Sequence, residues 1–119
     1  MSLTITNKSI DGVEVVQLNG AVLFGEDSNM LRTQVRALLE QCKKVVLDMR
    51  AVPRIDSSGL GTLIALYASA KRCGTEIKLA NLGIHPREVL QITRLVTVFE
   101  VFDSTDAAVA SFKTAKAAP

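Results

Sequence analysis

A chain of 119 residues, 48% hydrophobic and 22% charged, can build one domain with its own core, which excludes an intrinsically disordered chain. The net charge of +2 is thinly spread, with no basic run and little aromatic interleaving, and this argues against nucleic-acid binding. Two cysteines and one histidine are too few for a disulfide framework or a zinc site, so Cys42 and Cys73 are expected as reduced thiols.

The chain opens Met1-Ser2-Leu3-Thr4-Ile5-Thr6, with no basic stretch before an apolar run, so no signal peptide is expected. No segment approaches the roughly 18 apolar residues of a membrane-crossing helix, and a cytoplasmic location is the expectation. Leu3 to Ile10 and Val13 to Leu18 alternate on either side of Asp11-Gly12, which is a hairpin pattern. Residues 21–26 read as an apolar loop leading to a helix, with Asp27 or Ser28 as its cap. Leu31, Val35, Leu38, Leu39 and Cys42 then share one helical face.

Val45-Val46-Leu47, ending at Asp48, suits a central strand covered on both faces. Pro53 argues against regular structure between Arg50 and Ser57. A second helix follows, with Leu60, Leu63, Ile64 and Tyr67 on one face and Gly74 as its stop. Glu76 to Leu82 alternates again. Pro86 fits the first turn of a third helix, with Val89, Leu90 and Ile92 facing inward. Val98 to Phe102 is a last short strand, and Asp103 or Ser104 caps a final helix carrying Ala107, Ala108, Val109 and Phe112. The order β-β-α-β-α-β-α-β-α predicts an α/β fold: a mixed, mostly parallel sheet of about five strands with about four helices packed on it. The domain is expected over residues 1–112, with 113–119 as a frayed tail.

The sharpest local feature is the run Asp48 to Gly61, where a buried strand ends, a loop follows, and Asp56-Ser57-Ser58-Gly59 opens a helix. Two hydroxyls at a helix N-terminus stand where anions are favoured by the dipole and the unsatisfied N–H groups. A phosphate at Ser58 would add about −1.5 to −2 charges to an exposed corner without unfolding the domain. Gly59 and Gly61 keep the surface low, so a partner's backbone could approach. The same residues also read as an ordinary helix cap, and a cap does not exclude a switch.

Strand, loop, Asp56-Ser57-Ser58-Gly59-Leu60-Gly61 and apolar helix together resemble the signature of bacterial anti-sigma factor antagonists of the STAS family. The resemblance continues through Glu76 to Leu82, Pro86 to Thr93 and Val98 to Asp103, nearly the whole chain. It implies the STAS fold, with Ser58 as phosphoacceptor and Asp56, Ser57 and Gly59 shaping the phosphorylation site. It implies partner contacts at Arg54, Leu60, Gly61 and Thr62. The implied partners are an anti-sigma factor that is also a serine kinase, and a metal-dependent serine phosphatase that reverses the modification. Arg54 stands where family members often carry an aromatic residue, and Ala21 to Gly25 departs from the family's usual acidic loop.

No catalytic residue, cofactor or metal is assigned. His85 precedes Pro86 outside any triad motif, and Asp48 and Asp56 read as turn and cap residues rather than an acid pair. Classic nucleotide-binding glycine motifs are absent from the sequence. Two other readings compete: a scaffold module of a larger signalling or transport-associated complex without a phosphate cycle, and a small-ligand carrier or enzyme, which would need convergent polar groups in a pocket.

Overall fold

In a computed structural model that describes residues 3–22 and 25–117, β1 (Thr4–Ile10) and β2 (Val13–Asn19) form the expected antiparallel hairpin. Asp11 and Gly12 both take positive φ, 52° and 80°, as a two-residue turn matched to strand twist requires. From β2 the chain alternates strand and helix: α1 (Glu26–Glu40), β3 (Lys44–Ala51), α2 (Ser57–Cys73), β4 (Ile77–Ala80), α3 (Ile84–Ile92), β5 (Val101–Phe102) and α4 (Thr105–Ala117). A 3-10 turn, Leu95–Thr97, lies between α3 and β5.

The sheet order is β1-β2-β3-β4-β5, parallel from β2 onward. Each crossover therefore steps one strand in the same direction. Right-handed crossovers that all step one way land their helices on one face. Leu31, Val35 and Leu39 of α1, Leu63 and Leu66 of α2 and Leu90 of α3 accordingly share a core with Leu18, Leu47 and Leu79 of the strands. α4 covers the opposite face, where Ala108, Val109 and Phe112 meet Val13, Val15, Val46 and Ala80. β3 and β4 are buried on both faces for that reason, as the run Val45 to Leu47 predicted.

Lys78 is the one charged residue of β4. It is 1% exposed beneath α4, yet fully partnered. Its Nζ donates to Ser111 Oγ at 2.8 Å, lies 3.2 Å from Glu100 and 3.7 Å from Glu76, and sits 4.3 Å from the Phe112 ring centroid. A buried cation is tolerated only when satisfied in this way.

Several expectations are corrected. Ile92 is 81% exposed: it lies two residues past buried Leu90, about 200° around the helix. Ile64 is also exposed, because Gly59, Thr62, Leu63, Leu66 and Ala70 define the buried stripe and Ile64 falls well off its centre. α1 is capped by Gly25, so Asp27 and Ser28 lie inside its first turn. β5 keeps only two residues, where a strand from Val98 to Phe102 was expected. Cys42 and Cys73 are joined in a disulfide with Cα atoms 5.5 Å apart, against the expected free thiols. Leu23 and Phe24 of the loop before α1 lie outside the described residues.

Candidate functional site

The site is built where β3 hands over to α2. Beyond β3 the irregular residues 52–54, opened by a turn in which Val52 N donates to Met49 O at 3.1 Å, bring Ile55 to a parallel bridge with Val22. Val22 N donates to Arg54 O at 3.0 Å, and Asp56 N donates to Val22 O at 3.3 Å. These bonds fix the point at which α2 begins. Asp56 is the N-cap, its Oδ1 accepting from Gly59 N at 3.0 Å, as the sequence predicts.

Gly59 has a stricter role than a low surface. It is buried, and a Cβ there would stand 2.7 Å from Val22 O, 3.1 Å from Val22 Cγ1 and 3.3 Å from Ile55 Cγ1. The first turn of α2 can press against the Val22–Ile55 bridge only without a side chain. Gly61, one residue pair further on, faces open space.

Ser57 is exposed and Ser58 half-buried, both in the first turn of α2. Arg54 and Gly61 are exposed and Leu60 is half-buried, so these can meet a partner. Thr62 cannot: it is 1% exposed and turned into the core, which corrects its expected contact role. Ser58 Oγ donates to Ser28 Oγ at 3.3 Å. Ser28 is 4% exposed in the first turn of α1. Its neighbour Asp27 accepts from Leu3 N at 3.1 Å, which ties the start of α1 to the start of the sheet.

The contact of Ser28 with Ser58, and of Cys42 with Cys73 at the far ends, makes α1 and α2 parallel neighbours. Their N-termini converge at Ser58. Each contributes roughly half a positive elementary charge there. An anion on Ser58 would thus meet a favourable local field, while its own charge changes the surface a partner sees.

The remaining candidates do not join this site. His85 is exposed. Asp48 lies on the α4 face, accepting from Asn81 Nδ2 at 3.0 Å and Arg50 N at 3.1 Å, so it forms no acid pair with Asp56. A cleft of about 530 Å³ beside Lys8, Gln17, Asp48, Arg50 and Thr105 also opens on the α4 face, away from Ser58. Among the described residues no group of three or more His, Cys, Asp or Glu could hold a metal ion, and no helix is long and apolar enough to cross a membrane. The sequence offered Ser28 only as a helix cap and did not show its contact with Ser58, since nothing local marks a partner 30 positions away.

Known proteins share this fold. The family model described as "STAS domain" matches residues 4–108. BtrV of Bordetella bronchiseptica, whose name proposes an anti-sigma factor antagonist, is 31% identical over 114 residues, covering 95% of this chain and 97% of that protein. An anti-sigma F factor antagonist of Paenibacillus polymyxa is 27% identical over 106 residues, covering 87% and 90%. The crystal structure of an anti-sigma factor antagonist from Mycobacterium paratuberculosis superposes with a TM-score of 0.84 at 25% identity, covering 92% of this chain and 93% of that one.

Proposed function

The chain belongs to the STAS domain family, and from that premise we propose that it is an anti-sigma factor antagonist whose binding is gated at Ser58. Unmodified, it docks on an anti-sigma factor that is also a serine kinase, and the sigma factor is released. Phosphorylation of Ser58 ends that docking, and a metal-dependent serine phosphatase restores it. The cytoplasm, where transcription is regulated, is the location this function requires.

The observation that carries this reading is a partly accessible hydroxyl in the first turn of α2, flanked by exposed Arg54, Ser57 and Gly61. Leu60 adds apolar contact at the same corner. Asp56 and Gly59 hold the turn in place through the cap and the Val22 packing. A phosphate here adds about −1.5 to −2 charges. Burying them in an interface without a matching cation costs several kcal/mol, on the order of the whole affinity of a micromolar complex. The domain itself needs no rearrangement, because Ser58 is neither a core residue nor a cap. It acts as a binding regulator: it supplies a substrate hydroxyl and a surface, while the chemistry belongs to its partners.

The test is incubation of the purified chain with ATP, magnesium and each small serine kinase of the histidine-kinase ATPase fold encoded in the producing genome. Intact mass should rise by one phosphate, and Ser58→Ala should abolish the rise. An unchanged mass with every active kinase refutes the reading. So does binding to the same kinase that survives phosphoserine installed at position 58 during translation.

A further inference from the structure

We propose that Ser28 is the positioning residue for Ser58, holding its hydroxyl in one orientation for phosphoryl transfer. This rests on the phosphorylation reading above. The proposal comes from a contact between two helices: Ser58 Oγ donates its proton to Ser28 Oγ at 3.3 Å, across 30 residues of sequence.

A serine side chain on a surface helix moves among staggered χ1 rotamers, and its hydroxyl proton turns freely. A nucleophile in that condition spends much of its time facing the wrong way. Ser58 is half-buried, and Ser28 beside it is 4% exposed, with little room to move. The turn that carries Ser28 is itself tied to Leu3 N through Asp27. The acceptor atom is therefore fixed to the sheet rather than to a mobile loop. With its proton directed at Ser28, Ser58 Oγ turns lone pairs away from α1. Ser57, one residue earlier, is exposed. Orientation of one of two adjacent hydroxyls explains how a kinase can modify Ser58 in preference to its more accessible neighbour.

At 3.3 Å the separation is long for an O–H···O bond, so the contact is a weak one. It is easily given up during the reaction. Ser58 Oγ bonds to the γ-phosphorus of a nucleoside triphosphate, the bridging P–O bond breaks, the nucleoside diphosphate leaves, and the hydroxyl proton passes to a base of the kinase.

The experiment uses the full chain and has two arms. The first needs no partner: three-bond Hα–Hβ couplings of Ser58 are measured by NMR in wild type, Ser28→Ala and Ser28→Thr. One dominant rotamer is expected in wild type and in Ser28→Thr, and averaged couplings in Ser28→Ala. The second arm follows transfer by the kinase that modifies wild type, with the modified serine located by fragment mass. Ser28→Ala should lower kcat about fivefold, the effect of one modest hydrogen bond, with KM unchanged and with part of the label moved to Ser57. Ser28→Thr should restore both rate and site. Averaged couplings in wild type overturn the proposal without any variant. So does a Ser28→Ala protein that is labelled at Ser58 at the wild-type rate. Absence of label on wild type instead refutes the phosphorylation reading, and the proposal falls with it.

Discussion

Gly59→Ala sets two opposing effects against each other. In an open helix the change would stabilise by up to about 1 kcal/mol, because alanine restricts the unfolded chain and favours the helix. At this position the new Cβ would stand 2.7 Å from Val22 O, a backbone atom that cannot rotate away. Moving it displaces the bond from Asp56 N and the bridge to Ile55. Overpacking of this kind costs about 1–3 kcal/mol, and a weakened backbone hydrogen bond about 1 kcal/mol more. The steric side wins by about 2 kcal/mol. For a chain of this length that lowers the melting temperature by about 8 °C. Gly61→Ala is the control. It faces open space in the same helix, so it should raise the melting temperature by a few degrees. Thermal unfolding followed by circular dichroism reads both. A Gly59→Ala protein as stable as wild type would refute the close packing of α2 on Val22.

Asp56→Ala removes the α2 cap and should cost about 1 kcal/mol in urea unfolding, with Asp56→Ser recovering most of it. Lys78→Met should cost less than about 1.5 kcal/mol, since Glu76 and Glu100 are exposed and remain hydrated, whereas Lys78→Ala should cost about 2–4 kcal/mol through the cavity under α4; equal losses would show that charge, not volume, holds α4. Reduction of Cys42–Cys73, which closes a 31-residue separation, should lower stability by about 3–4 kcal/mol in chemical denaturation with and without dithiothreitol. In a reducing compartment the domain would carry that lower stability.

The strand and helix order was legible because its signals are local. Val13 to Leu18 alternates, Val45 to Leu47 is apolar throughout, and Asp56 and Gly74 carry the chemistry of helix ends. What stayed hidden depends on distant partners. Ile92 looked inward by composition, but the stripe set by Pro86 and Leu90 points it outward. Lys78 interrupts an apolar strand, and only the approach of α4 explains it. Cys42 and Cys73 meet because α1 and α2 are parallel, a tertiary fact. At the site, Asp56, Ser57, Ser58 and Gly59 could be singled out from their order alone. The steric demand on Gly59, the burial of Thr62 and the approach of Ser28 could not, since each is set by what packs from elsewhere.

The covalent tie between the trailing ends of α1 and α2 has a mechanical meaning for the opposite end. The two helices behave like tongs locked at the handle. While that bond is intact, a bulky group placed between their tips cannot be accommodated by the arms swinging apart about a free base, and it must project outward; reduction of the bond, as in the cytoplasm, removes that restraint.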